Sequence, residues 1–283
     1  MKRILRVPRR RGPSVLDANG TAVRVEGPEA IATAGSVARV AVLAHWSKVA
    51  RINRSVAAIT AALVDARYHV VVVSTSEDPA PLTWPAPAPP PDAVTVVRRP
   101  NVGYDFGSWA TALDRYPLIV DADRVLFVND SMVGPFSSMN HLLASFHACQ
   151  ADVWAATDTS QFAYHLQSYM LGFPGRSLRE PSLRRFWHDV RVEPTKDDVI
   201  WRGEIGLSQL LRQERFASDV AIPYRHVVPD GSNPAIIGWR KLLDRGFPFV
   251  KRELVLNPRV APDGGEVQGE LRRRFGVDVH EWL

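Results

Sequence analysis

The chain has one cysteine, Cys149, among 283 residues, so it has no internal disulfide framework and no cysteine-cluster metal site. Cys149 ends an amphipathic stretch and reads as a small buried hydrophobe. No apolar run approaches the roughly 20 residues needed to span a bilayer, and the N-terminus lacks a signal-peptide apolar core, which predicts a cytoplasmic protein. The phosphate loop G-x-x-x-x-G-K-[ST] is missing, as are a G-x-G-x-x-G turn after the first strand and a G-x-S-x-G elbow. These absences argue against ATPase, dinucleotide-enzyme and serine-hydrolase readings. No histidines fall at metal-binding spacing with carboxylates.

The net positive charge is confined to one short region. Lys2, Arg3, Arg6, Arg9, Arg10 and Arg11 lie in the first dozen residues, and subtracting those six from the net +5 leaves the remainder at −1. A nucleic-acid binder spreads its basic surface over the folded domain, so nucleic acid is not an expected partner. Residues 1–36 show no sustained periodicity and read as a disordered basic tail. Such a tail suits a solvated arm or peripheral contact with anionic lipid, where each basic residue adds about 1 kcal/mol.

Order is expected from "ARVAVLAHW", an apolar run of strand length. Val49, Ile52, Val56, Ile59 and Leu63 then recur at spacings of three and four, which predicts a helix capped by Ser47. "HVVVVSTS", "AVTVVRR", "DRVLFVND", "DVWAAT" and "LQSYMLGF" read as strands. The proline-rich residues 79–92 read as an extended surface connection. Nearly continuous valine strands alternating with helices predict an α/β fold, Rossmann-like, with a mostly parallel sheet flanked by helices. The expected organisation is a tail over 1–36, a domain over 37–258 and a C-terminal extension over 259–283.

Open α/β sheets bind ligands at strand ends, and four polar groups interrupt apolar sequence there. In "RPNVGYDFGSW", Gly103 and Gly107 allow close backbone approach to a ligand, and Asp105 stands between two aromatic residues; a simple strand-to-helix turn is the competing reading. In "FVNDSMVGPF", Asn129, Asp130 and Ser131 end a buried strand, either as a cap cluster or as a site where Asp130 holds Mg²⁺ or Mn²⁺. His165, Gln167 and Ser168 break the apolar pattern of "HLQSYMLGF". Glu204 in "RGEIGLSQLL" is expected at a helix start, where a carboxylate also suits the dipole.

Together with "VAVLAHW", "VVVVSTSE" and "NPAIIGWRKLLDRGFPFVKRELVLNP", these motifs resemble the rhamnan synthesis protein F family over about residues 38–258. The resemblance implies a GT-A-like glycosyltransferase domain that takes a nucleotide-sugar donor, typically dTDP-rhamnose, to a polysaccharide or lipid-linked glycan acceptor. It places Ala44, His45, Ser74 and Thr75 beside the nucleotide, with Asn101, Gly103 and Asp105 near the nucleotide or donor sugar. It assigns the catalytic base of an inverting transfer to Glu204, with Asp158 as substitute. The segment carrying Trp239 and Lys251 reads as packing, and the alternative is that one of them lines the acceptor side, since sugars stack on aromatic faces. GT-A enzymes carry Asp-x-Asp where this chain has Asn-Asp-Ser, which puts metal dependence in question. A non-catalytic sugar- or nucleotide-binding assembly module of the same fold is the alternative.

Overall fold

Alternate residues of each valine-rich strand must bury on opposite faces, so a sheet of such strands needs cover on both sides. The computed structural model describes residues 12–33, 37–86 and 92–283. Its strands are β1 (Arg24–Glu26), β2 (Arg39–His45), β3 (His69–Ser74), β4 (Val94–Arg98), β5 (Arg124–Asn129), β6 (Met132–Val133), β7 (Val153–Thr159), β8 (His165–Leu166), β9 (Met170–Pro174), β10 (Ser218–Ile222) and β11 (Val250–Lys251). Nine form one sheet in the order β1-β4-β3-β2-β5-β9-β7-β10, with β8 added on β7. Strands β4, β3, β2 and β5 run parallel, as do β7 and β10; β9 lies antiparallel between β5 and β7. This is the mostly parallel, helix-flanked, Rossmann-like sheet that the valine runs predict.

Ala41, Leu43, Val70, Val72, Leu126 and Val128 enter one buried cluster, while Val40, Val42, Val71, Val73, Val125 and Phe127 enter the other. The second cluster holds an aromatic group in which Phe127 stacks on Trp109 and meets Trp187 edge-on. Removing such a ring costs about 3–5 kcal/mol, enough to endanger the fold. A third cluster joins Trp239, Leu254, Leu271 and Trp282, so residues 259–283 pack against the domain.

Two sequence expectations change. The helix placed from Ser47 begins at Arg54 and runs to Asp65, capped by the Asn53 side chain, which accepts from Val56 N at 2.9 Å. Ser47 instead donates to the Val49 carbonyl, and Val49 is 57% exposed. The tail expectation fails for residues 12–33. There the helix Val15–Asn19 buries Val15, β1 pairs antiparallel with β4, and Arg98 ion-pairs with Glu26 at 2.7 Å. These pieces are three to five residues long, too short for a hydrophobic period to show. Residues 1–11 and 34–36, the rest of that expectation, lie outside the described residues, as do 87–91 of the proline-rich connection.

A carboxylate and ammonium cluster at the strand ends

The sheet reverses direction of growth at β2: β3 and β4 lie to one side and β5 to the other. Such a switch point leaves a crevice beyond the carboxyl ends of the strands. Trp46, just after β2, donates its backbone N–H to Asp130 Oδ2 at 2.9 Å, joining the two strand ends across that crevice. Around this bridge the chain gathers Asp105, Asn129, Asp130, Ser131, Lys251 and Arg252.

Asn129 acts as the connector. Its Nδ2 donates to Asp105 Oδ2 at 2.6 Å, while its Oδ1 accepts from Ser131 N at 3.1 Å and from Ser131 Oγ at 2.6 Å. The ribbon of β6 and β11 pairs Lys251 with Met132, which brings a distant segment beside residue 131. Lys251 Nζ then donates to Ser131 Oγ at 3.2 Å and lies 5.3 Å from the centre of the Tyr169 ring. Arg252 N donates to the Ser131 carbonyl at 2.8 Å, and its guanidinium stands 3.8 Å from Asp130 Oδ2.

The electrostatics follow from this crowding. Burial, then the charge of Asp130, pushes the Asp105 carboxyl up to about 7. Burial also raises Asp130, opposed by the Trp46 N–H and by Arg252. The Lys251 ammonium is pulled down by burial, opposed mainly by the negative charge of Glu204. Carboxylates and cations thus share one poorly hydrated region.

Glu204 faces this region from the other side. It lies in a π-helical stretch, Ile200–Ile205, inside a continuous helical run capped far upstream by Thr195, so the helix-start expectation for it is corrected. Ser168 Oγ donates to Glu204 Oε1 at 2.9 Å, and His165 Nε2 stands 3.4 Å from Oε2. The other ring nitrogen of His165 faces the Ala163 carbonyl at 2.8 Å, which fixes the ring. With 22% of its side chain exposed, Glu204 is held in place yet open to solvent.

The remaining sequence candidates lie beneath or beside this cluster. Ala44, His45, Ser74 and Thr75 end β2 and β3 but are buried. His45 Nδ1 bonds Ser74 Oγ at 3.0 Å, and burial, reinforced by Arg252 and Arg98, holds its imidazole down to about 4. Gln167 belongs to an internal chain, accepting from Thr157 Oγ1 at 2.6 Å and donating to Asn233 Oδ1 at 3.0 Å. Asp158 is buried, its Oδ1 accepting Tyr224 N at 2.6 Å. Asn101 is exposed on the approach to the helix Tyr104–Arg115. The close approach permitted by Gly103 is to the Val15 side chain, and that permitted by Gly107 is to the Val102 carbonyl and the Arg99 guanidinium; an added Cβ would collide at either, which corrects the ligand expectation. Trp239 is buried and donates Nε1 to Asp263 at 2.9 Å, away from the acceptor role. Arg252 escaped the sequence reading because it lies over 120 residues from Asp130; the paired basic residues after "FPFV" were the available signal.

The geometry tests whether a divalent cation suits Asp130. Its Oδ2 already accepts the Trp46 N–H and faces Arg252, and Ser131, where a second carboxylate would ligate, meets the Lys251 ammonium. Among the described residues no group of three His, Cys, Asp or Glu side chains is arranged to hold a metal. Hard cations favour several anionic oxygens, and this donor set, already countered by two organic cations, does not fit one.

The sequence pattern of the rhamnan synthesis protein F family matches residues 92–271, more than half of the chain and all of the cluster. The chain belongs to that family. Two curated relatives from Vibrio anguillarum, each named virulence protein VirA, are 31% identical over 201 residues. That match covers 59% of this chain and 64% of each relative, so the chain spans less than two thirds of their length. No helix among the described residues is long and apolar enough to cross a membrane.

Proposed function

We propose that the chain is a GT-A-like glycosyltransferase that moves a sugar from a nucleoside-diphosphate donor, dTDP-rhamnose by the family's character, onto a polysaccharide or lipid-linked glycan with inversion. The observation that carries this reading is Glu204: a carboxylate oriented by Ser168 and His165, open to solvent, and acting electrostatically on the Lys251 ammonium. Glycosyl transfer builds positive charge at the anomeric carbon while a diphosphate leaves as an anion. Lys251 and Arg252 supply fixed positive charge for that anion, as the donor set around Asp130 is unsuited to a metal. Glu204 takes the proton of the acceptor hydroxyl, and the carboxylic acid so formed can donate to His165 Nε2. Asp105 and Asn129 shape the donor-sugar side, and Ala44, His45, Ser74 and Thr75 form the floor under the nucleotide.

The test is ligand stabilisation. A ligand at 100 times its dissociation constant adds about 2.7 kcal/mol to the folded state, and each kcal/mol moves the melting temperature of a protein this size by roughly 2–4 °C. dTDP or dTDP-rhamnose should therefore raise it by about 5–10 °C, with ATP and NAD inert. No shift with any nucleoside diphosphate at millimolar concentration would favour the binding-module reading, to which the missing Asp-x-Asp already lends support.

A further inference from the structure

The two segments that present His165 and Glu204 cross more than once. Leu166 N donates to Ser208 Oγ at 3.0 Å, and His165 Nε2 meets Glu204 Oε2 at 3.4 Å. Three residues earlier on each segment, Phe162 and Trp201 meet with ring centroids 6.0 Å apart and planes inclined at 41°. Both rings face solvent: Phe162 is 66% exposed and Trp201 41%. An exposed pair of large rings gains little from burial, so packing does not account for it.

Local backbone features hold the pair outward. Phe162 sits at φ +68°, a left-handed conformation that a bulky residue adopts at a cost of about 1–3 kcal/mol and that persists where surrounding bonds enforce it. Those bonds are present: Gln161 N donates to Thr159 Oγ1 at 3.1 Å, Ala163 N to the Gln161 carbonyl at 2.9 Å, and Ser160 N to the Gly231 carbonyl at 3.0 Å. Trp201 lies in the same π-helical stretch as Glu204, a rare local winding that recurs at functional sites. The winding therefore sets the indole and the carboxylate relative to each other.

We infer that Phe162 and Trp201 form a glycan subsite, a platform for a neutral pyranose ring of the acceptor next to Glu204. The inference rests on the transferase reading above and specifies where its acceptor lies. A pyranose presents a face of polarised C–H groups that packs on the electron-rich face of an aromatic ring. Charge separates the two substrates: the anionic donor is drawn to Lys251 and Arg252, whereas the solvent-open Glu204 carboxylate on this side repels an anion and accepts hydrogen bonds from sugar hydroxyls. Exposed Tyr164, 37% accessible and hydrogen-bonded to Asp158, extends the aromatic surface along the same loop.

The experiment titrates the full chain with a short rhamnan oligosaccharide, with maltohexaose as the control glycan, by calorimetry. Wild type should bind the rhamnan, and the Phe162→Ala/Trp201→Ala double variant should bind about ten-fold more weakly or worse, the loss expected for one good stacking contact. Trp201→Phe should stay within about two-fold, since a flat ring remains. The dTDP shift of the double variant should equal that of wild type, which also shows that it folds. Equal rhamnan binding by wild type and double variant would overturn the proposal. So would a double variant that keeps glycan binding but loses pelleting with anionic liposomes, because the rings would then serve a lipid surface. Absence of a shift in wild type with any nucleoside diphosphate would reject the transferase reading instead, and ring-dependent rhamnan binding would still uphold the subsite.

Discussion

Replacing Asp105 with asparagine isolates one strongly displaced carboxyl. In the fold its carboxyl titrates near 7 against an ordinary 3.8, with burial as the main cause and Asp130 the next. Below pH 3.8 the folded and unfolded chains both hold the proton. Between 3.8 and about 7 the unfolded chain releases it and the folded chain retains it, so stability falls as pH rises through that window and levels off above it. The full displacement corresponds to a ceiling of about 4 kcal/mol at 1.36 kcal/mol for each unit. Asp105 is half-buried and Asp130 titrates with it, so solvent and coupling reduce the effect to about 2 kcal/mol. Asparagine has no such titration, and its side-chain oxygen can still accept from Asn129. Melting temperatures of wild type and Asp105→Asn at pH 4.5 and 8.5 read the difference. The variant should gain on wild type by about 4–8 °C between the two pH values. A gap that stays constant would show that Asp105 does not titrate in the neutral range, and the electrostatic account of the cluster would fall with it.

Three further outcomes are expected. Glu204→Gln should lower turnover by about 10²–10⁴-fold while leaving the dTDP shift intact, the usual loss for a positioned base; weakened dTDP binding with normal turnover at saturation would make Glu204 a donor contact. Lys251→Met should abolish most of the dTDP shift, and EDTA should leave the wild-type shift unchanged; a shift that EDTA removes and Mg²⁺ restores would reinstate a metal. Deleting residues 1–11 removes six positive charges and should weaken pelleting with anionic liposomes at low salt, as high salt does to the intact chain; equal pelleting would exclude a lipid role for these residues.

The sheet was readable because its signal is local. Runs of four or five mostly apolar residues, rich in valine, can be satisfied only by cover on both faces, so β2 to β5 were legible strand by strand. Asp130 was legible for the same reason, as the polar residue where such a strand stops. The loop 46–53 misled the helix assignment because Val49 and Ile52 happen to fall on helical spacing. There the backbone is instead committed elsewhere, Trp46 to Asp130 and Ile52 N to the Thr83 carbonyl. Gly103 carried the correct signal, close approach at positive φ, with the wrong partner: Val15 arrives from a helix of five residues that no periodicity announces.

Lys251 and Arg252 show what sequence cannot display. Their importance depends on the register of a two-stranded ribbon, Lys251 opposite Met132 and Val250 opposite Val133. A slip of one residue would turn Lys251 to the opposite face of the ribbon and leave Ser131 and Asp105 without its ammonium. The same register explains why Asn-Asp-Ser can stand where a metal-binding enzyme has two aspartates. A second carboxylate at Ser131 would meet Lys251 and form an ion pair, consuming the cation that the proposed transfer assigns to the diphosphate. A serine hydroxyl accepts from the ammonium without neutralising it, so the positive charge remains available to an incoming anion. In the proposed transferase, the hydroxyl of Ser131 and the ammonium of Lys251 therefore act as one electrostatic arrangement, and a carboxylate at residue 131 would undo it.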